Sequence, residues 1–211
     1  MSCLDGSLLA VVSTEYEGEK SESGAFEGSG RVKLSGGHAY EGEFRGGALE
    51  GEGVYTWASG LRYRGAFVGN KATGAGAYEW TDGSSFKGDV QDGKRNGIGT
   101  FVAAPPAGGE SKSADVVARG TEYAGGYVDG KKHGRGRMLY AGGASHYDGE
   151  WREGLQSGRG KMRYASGSEY DGEWKAGVKC GYGTMRWKAA SEQYEGQWLD
   201  GQPHGLGVHT W

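Results

Sequence analysis

Residues Tyr40–Trp57 read Y-E-G-E-F-R-G-G-A-L-E-G-E-G-V-Y-T-W, and Tyr194–Trp211 read Y-E-G-Q-W-L-D-G-Q-P-H-G-L-G-V-H-T-W. Counted from the leading Tyr, both stretches place Gly at +2, an aromatic at +4 and a Gly pair at +11 and +13. The layout recurs from Tyr63, Phe86, Tyr123, Tyr147 and Tyr170, with a period of 23 or 24 residues everywhere except between Phe86 and Tyr123. Apolar or aromatic residues return at +15 and +17, as in Tyr55/Trp57, Tyr78/Trp80 and Met185/Trp187. An eighth, degenerate copy starts at Tyr16, with Lys20 where the +4 aromatic is expected.

Apolar residues alternating with polar ones at a period of two indicate β-strands, here on both sides of each glycine-bearing turn. The rings at 0 and +4 then share one face of a first strand, and +11, +13, +15 and +17 share one face of a second. Asp-Gly pairs such as Asp92-Gly93, Asp129-Gly130 and Asp200-Gly201 suit positive φ in a connecting tip of about six residues. Eight such hairpins predict an all-β, antiparallel meander about 75 Å long at roughly 4.8 Å per strand. With +4 paired to +11, Asp148 is expected opposite Lys161, Glu150 opposite Arg159, and Glu43 opposite Glu52. Across the following turn the same register sets Arg163 beside Asp171 and Lys161 beside Glu173.

Composition agrees with this reading. The chain of 211 residues holds 45 Gly but only 3 Pro, together with 13 Tyr, 7 Trp and 5 Phe. Collagen needs Gly at every third position with abundant Pro, and a disordered linker lacks such a content of rings. The net charge of −3 gives no case for nucleic acid. The charge is polarised, however: residues 1–60 carry a net −6 and residues 131–188 a net +6. Cys3 and Cys180 are the only cysteines, a usage that fits a reducing compartment better than a disulfide. Leu8–Val12 is too short and too poor in preceding basic residues for a signal peptide, and no stretch reaches the length of a membrane span.

The two quoted segments resemble MORN repeats, and the resemblance extends over residues 16–211 apart from one insertion. It implies an elongated, twisted, single-layer antiparallel sheet of about eight consecutive hairpins, used for docking rather than chemistry. The expected organisation is a tail or cap over 1–15, repeats over 16–102, a flexible insertion over 103–122 and further repeats over 123–211. The layout is most similar to MORN-repeat proteins of the radial spoke head of motile cilia and flagella. That likeness implies a cytoplasmic, cytoskeletal location in the axoneme, with other spoke head subunits as partners.

Chemistry-bearing motifs are not expected. Gly88–Arg95 and Gly125–Lys132 match G-x-x-x-x-G-K, but neither has the following Ser/Thr, and both cross a hairpin tip rather than lead into a helix. His133 and His204 occupy the same repeat position, and His38, His146 and His209 have no Cys partners, so no metal or cofactor site is expected. Candidate partner-binding residues are the ring stripe Tyr147, Trp151, Tyr170, Trp174, Tyr194 and Trp198, together with Trp211. The stripe has a competing role as the sheet's own core. The edge near Trp211 is open to pairing with another chain or with a second copy. The basic stretch 131–188 supports an alternative reading, a membrane-associated scaffold that binds anionic phospholipid.

Overall fold

The computed structural model describes residues 13–105 and 120–211. The insertion expected over 103–122 and the tail over 1–15 lie mostly outside them, although the first strand already begins at Ser13. The described residues form antiparallel strands whose spatial order follows the chain, in two compact units divided at Phe101/Val102.

The first unit contains β1 (Ser13–Lys20), β2 (Phe26–Leu34), β3 (His38–Arg45), β4 (Ala48–Thr56), β5 (Arg62–Val68), β6 (Lys71–Glu79), β7 (Ser85–Gln91) and β8 (Lys94–Val102). The degenerate copy therefore forms a hairpin like the others, with Tyr16 facing Val32. The second unit contains β9 (Glu122–Val128), β10 (Lys131–Leu139), β11 (His146–Arg152), β12 (Leu155–Arg163), β13 (Glu169–Lys175), β14 (Val178–Trp187), β15 (Glu192–Leu199) and β16 (Gln202–Thr210). In each unit the core is the ring-bearing face. Tyr40, Tyr63, Tyr147 and Tyr170 are fully buried there, although the sheet has only one layer.

Glycine makes that burial possible. Gly149 pairs with Gly160 and Gly172 with Gly183, and a Cβ on Gly160 would run into the Tyr147 ring. The phenol lies flat across the neighbouring strand because nothing projects from it. Its hydroxyl then donates to the Glu150 carbonyl 3.0 Å away, which satisfies the one polar group that the ring carries inward.

Two expectations of the sequence reading are corrected. From β3 onward the hairpin tips hold two residues rather than about six, with both φ angles positive: Asp129 48° and Gly130 80°, Glu153 52° and Gly154 88°. This is the type I′ geometry, whose twist matches that of the flanking strands. The register also differs. Within a hairpin Trp151 faces Gln156 and Phe44 faces Leu49, so +4 meets +9 rather than +11. A bulge at the +11 glycine takes up the two-residue difference. Gly158 has φ 58° there and pairs across the next turn with Trp174.

The bulge rearranges the charge partners. Asp148 faces Lys161 as expected, but Glu150 faces Ser157 instead of Arg159. Glu43 faces Glu50 rather than Glu52. Across the next turn no bulge intervenes, but the turn closes between the Tyr164 N–H and the Ser168 carbonyl, so Lys161 faces Asp171 rather than Glu173, Arg163 faces Glu169 rather than Asp171, and Arg159 faces Glu173.

Candidate docking surface

The six stripe residues come in pairs, one pair on each of β11, β13 and β15. Within a strand each Tyr meets its Trp edge to face: Tyr147–Trp151 at 5.2 Å, Tyr170–Trp174 at 5.2 Å and Tyr194–Trp198 at 5.5 Å between centroids. The pattern continues between hairpins, with Tyr147–Trp174 at 5.3 Å and Tyr170–Trp198 at 5.1 Å. Edge-to-face pairs are favoured by the ring quadrupoles and add roughly 0.5–1.5 kcal/mol each beyond area burial. Each indole also donates its Nε1–H to a carbonyl of the preceding hairpin, Trp151 to Gly136, Trp174 to Gly160 and Trp198 to Gly183, all at 3.0 Å.

These contacts cover the stripe. Tyr147, Trp151, Tyr170, Trp174, Tyr194 and Trp198 are all buried, so their surface is spent on one another, and only Trp211, 83% exposed, faces solvent. The ends of the stripe are capped by lysine. The Lys132 ammonium lies 4.1 Å from the Trp151 ring centroid and that of Lys179 lies 4.4 Å from Trp198. Burial lowers the Lys179 pKa and raises that of the Cys180 thiol. Burial likewise raises the phenol of Tyr63 to about 12 and pushes those of Tyr40, Tyr123, Tyr147 and Tyr170 well above their ordinary value.

What remains accessible lies mainly on the opposite face. In the first unit an open groove of about 870 Å³ is lined by Glu17, Arg31, Glu41, Glu52, Arg62 and Arg64 among others. In the second unit Tyr182, Leu206 and Val208 are exposed beside a smaller groove of about 560 Å³. Val128, Leu155, Val178 and Leu199 are half-exposed next to successive hairpin tips. The sequence reading missed these aliphatics. Their signal was an apolar residue beside the tip, at +5 in two repeats and +8 in the other two. Among the described residues, no group of His, Cys, Asp or Glu has the arrangement to hold a metal ion, and no helix is long and apolar enough to cross a membrane.

The repeating hairpin, with its glycine pair and edge-to-face rings, corresponds to a family model described as the MORN repeat. It matches at residues 40–62, 63–85, 86–104, 123–145, 147–169, 170–189 and 194–211. The chain belongs to the MORN-repeat family. Seven MORN repeats account for most of its length, and such an array is a repeat scaffold. The hairpin from Tyr16 also sets a Gly pair, Gly18 and Gly30, opposite one another, but it closes on a longer tip and lies outside the matched residues.

No match was found among curated proteins. Similar solved structures include the TCP domain of Drosophila melanogaster SAS-4 (dCPAP), in complex with a proline-rich motif of Ana2 (dSTIL). It has a TM-score of 0.46 and 8% identity, over 93% of this chain and 96% of that one. Another is the wild-type TCP10 domain of Danio rerio CPAP in complex with a peptide of Danio rerio STIL. There the TM-score is 0.34 and the identity 9%, over 86% of this chain and 83% of that one.

Proposed function

We propose that this MORN chain is a non-catalytic scaffold that docks neighbouring proteins as a component of the radial spoke head in the axoneme of motile cilia or flagella. The observation that carries the reading is how the chemistry-bearing side chains are used. Stripe rings are consumed in the core, and carboxylates such as Asp148 and Glu150 on β11 or Asp171 and Glu173 on β13 are spread along the opposite face instead of converging in an enclosed pocket. An array of near-identical hairpins built in this way provides length and repeated surface, which is what a spacer between fixed neighbours requires. Open edges and Trp211 offer further contacts to other subunits or to a second copy.

Fractionation of ciliated cells tests the proposal. The protein should remain with salt-washed axonemes, with spoke proteins as its neighbours by cross-linking mass spectrometry. Recovery only in membrane or soluble fractions would overturn it.

The membrane reading rests on the +6 balance of residues 131–188. Several of those bases already have acidic partners, such as Lys161 with Glu169 at 3.0 Å. Co-sedimentation with anionic vesicles separates the two readings, since salt-sensitive binding lost on replacing Arg159, Lys161 and Arg163 would favour the lipid surface.

A further inference from the structure

The face of the second unit opposite the rings carries its charge in stripes. On β10 the exposed side chains Arg135 and Arg137 are basic, and on β11 Asp148 and Glu150 are acidic. The alternation continues with Arg159 and Lys161 on β12 and with Asp171 and Glu173 on β13. Registers tie the stripes together. Arg137 faces Asp148, Asp148 faces Lys161 and Lys161 faces Asp171, so these four residues form one level row across the strands.

Such a pattern discriminates between partners. A surface of one sign, as on an anionic bilayer or a polyanion, is repelled by every acidic stripe that its neighbouring basic stripe attracts. A surface carrying the same grating, displaced by one strand, meets opposite charge along the row of Arg137, Asp148, Lys161 and Asp171. The nearest source of that surface is the chain itself.

We infer that two copies associate face to face through β10–β13, about a two-fold axis that runs parallel to the strands between β11 and β12. That axis lays β11 of one copy over β12 of the other, and β10 over β13. It preserves height along the strand, so partners within the row also become partners between copies: Asp148 meets Lys161 of the second copy, and Arg137 meets its Asp171. An axis lying along any one strand, or in the sheet plane perpendicular to the strands, would set like stripes over one another, and of the axes between strands the one between β11 and β12 sets all four stripes against opposite ones. Two sheets stacked about 10 Å apart leave room for Arg and Lys to reach opposing carboxylates. The contact is isologous, as closed two-fold dimers require. It is also polar, so it weakens as salt rises.

Sedimentation equilibrium of the full chain at about 50 mM and ~500 mM salt, with two single charge reversals, tests the inference. Wild-type chain should dimerise at low salt and shift towards monomer at high salt. Lys161→Asp and Asp148→Lys each place like charges at two symmetry-related contacts, so each should weaken self-association about tenfold or more. In an equimolar mixture the reversed groups meet one another, and association should return. That rescue in trans cannot come from a fold defect, and Lys161→Gln, which removes the charge without reversing it, should fall between wild type and Lys161→Asp. A wild-type monomer at low salt, a Lys161→Asp variant that dimerises like wild type, or a mixture that stays dissociated would each overturn the inference. So would anionic vesicles binding the chain in proportion to net charge, weaker for Lys161→Asp and stronger for Asp148→Lys, in place of self-association.

Discussion

The indole Nε1–H of Trp174 on β13 donates to the backbone carbonyl of Gly160 on β12 at 3.0 Å, so that a side chain of one repeat completes the hydrogen bonding of the repeat before it. Trp151 and Trp198 do the same. In the first unit the corresponding +4 residues are Phe44, Phe67 and Val90, which have no such donor. Replacing Trp174 by Phe keeps a ring over the glycines but leaves the buried Gly160 carbonyl without its indole partner. The expected cost is about 1–2 kcal/mol, read as a lower denaturation midpoint at unchanged slope.

Glycines in this chain fall into classes that substitution should separate. A Cβ on Gly160 collides with the Tyr147 ring, whereas Gly142 has open space and only its φ of 82° against it. Gly160→Ala should destabilise by about 3 kcal/mol through overpacking, and Gly142→Ala by about 1 kcal/mol through backbone strain. Thermal unfolding of the two variants side by side gives the ranking.

In the hairpins from Tyr147, Tyr170 and Tyr194 the bulge at the +11 glycine is held by a side chain. Glu150 accepts from the Arg159 N–H at 3.1 Å, and Glu173 accepts from the Tyr182 N–H at 3.0 Å. Gln197 does the same for Leu206 at 3.0 Å, so an amide oxygen serves as well as a carboxylate. Glu150→Gln should therefore leave stability nearly unchanged, while Glu150→Ala should lose ~1 kcal/mol. Chemical denaturation distinguishes a hydrogen-bonding role from one that depends on charge.

The buried phenols set an alkaline limit. Tyr63 has its pKa raised to about 12, and Tyr40, Tyr123, Tyr147 and Tyr170 are shifted in the same direction, chiefly by burial. Above the ordinary value of 10.0 the unfolded chain releases protons that the folded chain retains. Stability is thus fully present below that pH and falls as pH climbs towards the folded values. Phenolate absorbance and loss of strand circular dichroism should rise together, in one steep transition rather than one tyrosine at a time.

Much of this architecture was legible in the sequence. Rings at 0 and +4, and glycines at +2 and +13, marked the strands, their shared face and the number of hairpins. The register was not legible, because Gly158 and Gly160 look identical in a pattern and act differently. Gly160 is required for space beneath Tyr147, and Gly158 for a left-handed backbone. Treating both as spacers moved Trp151 from its true partner Gln156 to Gly158, and Glu150 from Ser157 to Arg159. Of the candidate docking residues, Trp211 stands exposed, while the stripe from Tyr147 to Trp198 is buried. Aromatic character alone does not say whether a ring is covered; the adjacent glycine pairs carried that information.

The tips add a direction to the array. Gly154 donates its N–H to the Lys132 carbonyl, Gly177 to Gln156 and Gly201 to Lys179, each reaching back to the hairpin before it, as the indoles do. In these tip and indole contacts the earlier hairpin presents the acceptor and the later one brings the donor. A chain emerging from the ribosome meets this order in time: each newly synthesised hairpin brings its donors to one already made, whose waiting carbonyls it completes.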